Sequence, residues 1–281
     1  MRNKPRKIRP ELPRIFMPSI EMITFPPGLL GDQPVRLPLL VRDPDYFALI
    51  KPAGVAVAPD RLWRDTPDIL GAIRSSIAQG KKQLSDLGIN YAGAVHTLDV
   101  EMTGVAVFGA SEDAESRLRN AVGSRKWEFV FVFVAEAGAR TDPVTCDLPL
   151  AKREDDSGLI VSKQSGKKCS TVFTPVRRAG RYMLWEARTR ENRPHQVRLH
   201  ASECGLCIPG ERRYGRVPLV YLSGIKRNFR PGREEEQPLH GPLCVHLREV
   251  RLPRADGRAA TIATPVPKTF ATLLKRLENE E

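Results

Sequence analysis

Apolar positions along the chain recur with two periods, and the changes of period mark its elements. The stretch "YFALIKPAGVAVAP", residues 46–59, is an apolar strand, a Lys-Pro-Ala-Gly turn and a second short apolar run. In "TPDILGAIRSSIA", Thr66 to Ala78, the spacing becomes helical behind a capping threonine and a proline at the first helical position, which predicts a helix. "SEDAESRLRNAVGS" opens on another cap and closes on glycine, predicting a second helix. "KWEFVFVFVAEA" is aromatic and β-branched enough to be a buried strand. From Val144 to Arg190, "LIVSK", "STVFTPV" and "YMLWEAR" alternate with turn residues and predict an antiparallel meander. "RPHQVRLHASECG" returns to helical spacing with basic residues on one face, "PLCVHLREVRL" and "AATIATP" are late strands, and "PKTFATLLKRLE" is a closing helix. Strands dominate the centre with helices beside them, so the pattern predicts an α+β fold rather than a doubly wound one. Neither a repeat nor a Gly-rich nucleotide loop is present.

The chain's 281 residues suffice for one main domain with a small appendage. Charge adds direction: 45 Lys and Arg against 33 Asp and Glu leave +12, an excess that favours polyanionic partners. The opening "MRNKPRKIRPELPR" carries six basic residues, one acidic residue and three prolines, and reads as a flexible basic arm. "FPPGLLGDQPVRLPLL" then reads as a segment wrapping over a surface before the first regular strand, which divides the chain into an arm and wrap, 1–38, and a main domain, 39–281. A second basic cluster fills 210–233, in "GERRYGRV" and "GIKRNFRPGR". The expectation is that arm and cluster supply non-specific nucleic-acid affinity. No apolar run is long enough to span a bilayer and the N-terminus lacks the apolar core of a secretory signal, so a soluble, cytoplasmic protein is expected. Five scattered cysteines suggest reduced thiols; "CGLC" has the spacing of half a zinc site, but no second pair completes it.

Against this background "AVHTLDVEMTGVAVFGAS", residues 94–111, raises a question, because Asp99 stands between Leu98 and Val100 in a run of strand-like residues. A turn or cap residue is one reading and a partly buried carboxylate held for chemistry is the other. Asp99 and Glu101 would share a face of a strand, as in the acid and nucleophile pair of a glycosidase, but that leaves the basic surface unexplained. The five histidines come with no serine in a nucleophile elbow.

Taken in order, "LIKPAGVAVAP", "VHTLDVEMTGVAVFGAS", "GKKCSTVFTPV" and "TRENRPHQVRLHASECGLCIPGERRYG" resemble the RluA-type pseudouridine synthase family. The likeness runs from about Val41 to the final helix, where "TPVPKTF" is similar to that family's closing proline-containing segment. It implies a mixed, mainly antiparallel β-sheet core with flanking helices and a basic RNA cleft. It also implies an isomerase that converts uridine to pseudouridine in ribosomal or transfer RNA. Asp99 falls on the family's essential aspartate, and Arg198, in "HQVRLH", on the arginine that pairs with it, which would keep the carboxylate ionised and oriented. Lys51, Thr97, Arg193, His195 and Gln196 are implied as RNA-binding positions, Lys51 and Arg193 by holding phosphates. The expected partner is RNA alone, with no membrane, no cofactor and no metal, and the chain acting as a monomer.

Departures from the family pattern touch the same region. Thr97 stands where H-R-L-D has arginine, and a short hydroxyl cannot wedge into RNA as arginine can. Phe129 stands at the usual active-site tyrosine, keeping a ring that can serve as base platform and losing the phenol. Asn192 and Pro194 alter the usual T-G-R-T-H-Q, and Glu211 takes the place of an aspartate. These changes sustain a second reading, an RNA-binding protein that kept the fold and lost efficient catalysis.

Overall fold

The computed structural model describes residues 21–59, 65–136, 138, 141–153, 158–241, 243–254 and 256–279. In chain order its first elements are β1 (Met22–Phe25), β2 (Val35–Arg42), β3 (Tyr46–Lys51), α1 (Ile69–Ala78), α2 (Lys82–Asp86), β4 (Gly93–Ala94), β5 (Thr103–Gly109), α3 (Glu112–Gly123) and β6 (Glu128–Glu136). The rest are β7 (Val144–Cys146), β8 (Leu150–Lys152), β9 (Leu159–Val161), β10 (Thr171–Ala179), β11 (Tyr182–Thr189), α4 (Gln196–Glu203), β12 (Val245–Pro253), β13 (Ala259–Ala263) and α5 (Lys268–Glu278).

One sheet runs β1-β2-β3-β5-β12-β6-β11-β10-β7, with β4 paired to β5 and β13 to β12; β8 and β9 form a separate hairpin. Its pairings are antiparallel except β5 with β12, so the expected α+β class with a mixed, mainly antiparallel sheet is what the chain adopts. That parallel contact is very close: a Cβ on Gly104 (φ +142°) would lie 2.4 Å from the Leu247 carbonyl oxygen. Strand β6 is buried from Phe129 to Ala135, as its unbroken apolar run requires, which places the core on both faces of the sheet. Helix α5 buries Phe270, Leu273, Leu274 and Leu277, an i, i+3, i+4, i+7 stripe.

Several local expectations shift. The sheet begins at Met22, not after residue 40: "VRLPLL" is itself strand β2, paired with both β1 and β3. The run after the Lys-Pro-Ala-Gly turn makes only an isolated bridge, Ala56 to Asp68. Asp68 rather than Thr66 caps α1, its Oδ1 accepting the Gly71 N–H at 2.7 Å. Helix α3 starts as expected, with Ser111 accepting from the Ala114 amide. Helix α4 has no basic solvent face, because every residue from Gln196 to Ala201 is buried and Arg198 and His200 point into protein. The N-terminal arm lies outside the described residues. Among those residues no helix is long and apolar enough to cross a membrane.

Candidate active site

Asp99 sits in the turn between β4 and β5, not on a strand, with its carbonyl accepting the Met102 amide at 3.0 Å. Both sequence readings therefore hold at once: the residue is in a turn, and its side chain is only 8% exposed. The turn is braced from below. Lys51 is wholly buried, and its Nζ donates to the carbonyls of Pro52 (2.9 Å), Val55 (2.7 Å) and Val100 (3.1 Å). Burial lowers its pKa to about 7, against the opposing pull of Asp99 and Glu101. Lys51 is thus a buried strut rather than a phosphate ligand, since its donors are spent on backbone oxygens. His96 is a second strut. Burial lowers its pKa to about 4, so the ring is neutral, with Nδ1 donating to the Thr97 carbonyl at 3.1 Å and Nε2 accepting the Val107 N–H at 3.0 Å.

The opposite wall is the start of α4. His195, in the left-handed region at φ 55°, turns the chain so that its own N–H donates to Asp99 Oδ1 at 3.1 Å. Its Nδ1 lies 2.7 Å from the Tyr214 hydroxyl, which also accepts the Leu159 N–H at 3.1 Å. One turn along the helix, Arg198 Nη1 reaches Asp99 Oδ2 at 3.4 Å and Glu101 Oε1 at 3.1 Å. The rest of the guanidinium forms a two-pronged pair with Glu211, at 2.6 Å from Nε and 3.1 Å from Nη2. Burial opposes charge on Arg198, but the Glu211 hydrogen bonds and the three carboxylates raise its pKa further. Burial likewise opposes ionisation of Glu211, yet Arg198 and the amides of Arg213 and Tyr214 hold it below the usual carboxylate range. Tyr214 stays a phenol, pushed up to about 12 by burial.

Between these walls is a cavity of about 20 Å³ lined by Asp99, Thr97, Phe131, Asn192, Arg193 and Gln196, among others. The sequence-expected residues divide around it. Asp99, Arg198 and His195 come together as described, His195 through its backbone rather than its ring. Phe129, expected as base platform, is wholly buried with its ring 5.6 Å from His96 and 5.8 Å from Trp127. Phe131, two residues further on the same face of β6, lines the cavity instead. Gln196 is buried, its amide donating to the Ser170 carbonyl and the Thr171 and Thr189 hydroxyls at 3.1, 3.1 and 2.7 Å, which fastens α4 to the sheet. Arg193 is half-buried and donates to the Lys168 carbonyl at 3.1 Å. Thr97 is exposed and bonds to Asn192. Tyr214 was not among the expected site residues. Its signal lay in "GERRYG", where Glu211 folds back on its own chain and accepts the amides of Arg213 (2.7 Å) and Tyr214 (3.1 Å). Among the described residues, no three His, Cys, Asp or Glu side chains gather as metal ligands.

The family of RNA pseudouridylate synthases matches residues 45–203, more than half of the chain, a stretch that includes Asp99 and Arg198 but not Glu211 or Tyr214. The chain belongs to that family. An uncharacterized RNA pseudouridine synthase of Aquifex aeolicus is 26% identical over 194 residues, covering 67% of this chain and 60% of the relative. A ribosomal large subunit pseudouridine synthase D of Xylella fastidiosa is 26% identical over 274 residues, or 94% of this chain and 74% of the relative. Two solved human structures share the fold. RNA pseudouridylate synthase domain containing 4 has a TM-score of 0.63 at 20% identity, covering 85% of this chain and 92% of that one. Domain containing 1 scores 0.56 at 18%, covering 82% and 84%. The synthase-like fold implied by the sequence resemblance is therefore the fold of this family member.

Proposed function

We propose that this synthase-family chain converts uridine to pseudouridine in structured RNA, ribosomal or transfer, with Asp99 as the reacting carboxylate and without a cofactor, as a soluble cytoplasmic monomer. The reaction breaks the N1–C1′ bond, turns the uracil and joins C5 to C1′, and the C5 proton is lost as N1 regains one. Atoms balance without an added reactant. Asp99 suits the electron-poor C1′ because its side chain is mostly buried beside the Arg198 guanidinium at 3.4 Å, so it meets the reacting carbon with little solvent to displace. The observation that carries the reading is this pairing: Asp99 at a cavity wall, fixed by the His195 N–H on one oxygen and Arg198 on the other. A stacked uridine reaches such a wall only when flipped from its helix or loop.

The test is pseudouridine mapping by mass spectrometry after incubation with ribosomal and transfer RNA transcripts. Product is expected with the native chain, and Asp99→Asn should abolish turnover while leaving RNA binding largely intact, since it removes charge and little volume. No product with either RNA, from folded protein that binds it, would instead favour the second reading of an RNA-binding protein with impaired catalysis. The hydroxyl-free, buried ring of Phe129 is the observation on that side.

A further inference from the structure

Beside the Asp99 cavity, across the 192–194 segment, lies a larger hollow of about 420 Å³ lined by Leu150, Lys152, Leu159, Lys167, Arg193 and Pro194. Asn192 and Arg193 line both spaces, so only this short stretch of chain separates them. The far wall is the β8–β9 hairpin, and it is anchored to the catalytic side of the molecule. Leu150 and Leu159 share a small apolar cluster with Cys169 and with Leu199 of α4, the neighbour of Arg198, and Tyr214 packs against it. Lys167 is fixed to the same hairpin by reciprocal backbone hydrogen bonds with Leu150 at 2.9 and 3.1 Å.

The wall chemistry is of two kinds. Leucine and proline surfaces supply apolar contact, and three cations supply charge: Lys152 and Lys167 are exposed, and the half-buried Arg193 keeps a buried Nε with no hydrogen-bond partner. No carboxylate lines the hollow among the described residues. A bare anion has no use for the apolar walls, and an apolar segment has no use for three cations. A nucleotide, with a flat base and a phosphate, uses both.

We propose that this hollow binds the RNA nucleotide adjacent to the target uridine, its base against Leu159 and Pro194 and its flanking phosphates on Lys152, Lys167 and Arg193, so that the β8–β9 hairpin sets which sequence context is modified. The inference rests on the RNA reading above and adds a second subsite to it.

The test uses the full chain, its Lys152→Ala/Lys167→Ala variant and a 4-thiouridine-substituted large-subunit ribosomal RNA transcript, measuring affinity against salt and mapping photocrosslinks by mass spectrometry. Both lysines are exposed, and an unchanged thermal midpoint would confirm that the variant is folded. The expected result is crosslinking of the native chain within 150–167, with about tenfold weaker binding of the variant and a salt dependence shallower by about two phosphate contacts. Native binding with no crosslink there, and with the same affinity and slope in the variant, overturns the subsite while leaving the RNA reading in place. Failure of the native chain to bind the transcript or a transfer RNA overturns both.

Discussion

Asn192 clasps Thr97 across 95 residues of sequence: its amide oxygen accepts the Thr97 N–H at 2.8 Å and hydroxyl at 3.0 Å, and its amide nitrogen donates to the Thr97 carbonyl at 3.0 Å. Both residues line the cavity that holds Asp99. In this closed arrangement the cavity of about 20 Å³ has room for roughly one water and not for a base. Thr97→Ala, Asn192→Ala and the double variant should show a coupling of about 0.5–1.5 kcal/mol in denaturant unfolding, and purely additive losses would mean the clasp does not persist in solution.

Arg198 is the only guanidinium serving Asp99, Glu101 and Glu211 among the described residues. Replacing it with methionine leaves buried carboxylates without a counter-charge, so Arg198→Met should lose about 3–5 kcal/mol of stability as well as turnover. Urea unfolding of Arg198→Met against Arg198→Met/Glu211→Gln separates the two effects. The second substitution should recover part of the stability and none of the activity, and recovered turnover would show that Arg198 serves only to neutralise Glu211.

Lys51 makes a signed prediction about pH. Its folded-state pKa, about 7, lies below the ordinary lysine value of 10.5, so between those values the unfolded chain binds more protons and stability rises with pH. The native chain should therefore gain about 2 kcal/mol between pH 7 and 9 relative to Lys51→Met, in which every other titrating group is retained. Parallel stability curves for the two proteins would show that Lys51 does not titrate in this range.

The Tyr214 hydroxyl joins the Leu159 amide to the His195 ring, and the His195 backbone holds Asp99. Tyr214→Phe keeps the packing and removes these bonds. It should cost about 1–2 kcal/mol. As a positioning change it should lower kcat more than it raises KM for RNA, and an unchanged kcat would confine Tyr214 to a structural role.

What the sequence determined by itself was what depends on near neighbours. Ser111 caps α3 because its acceptor serves an amide three residues on, and the unbroken apolar run of β6 can only be a strand covered on both faces. That Asp99 and Arg198 lie side by side was legible too, since each sits in a short motif carrying its own context. Tertiary structure decided which way side chains turned and what they met. Lys51 turns inward because three carbonyls from its own turn and the Asp99 turn converge on it, a convergence no local pattern encodes. Phe129 and Phe131 carry the same ring on the same face of one strand, and only the placement of His96 and Trp127 beside the first left the cavity to the second. Glu211 and Asn192 acquired their partners when chain segments 13 and 95 residues apart were packed together, because hydrogen bonds and ion pairs depend on distance in space rather than along the chain.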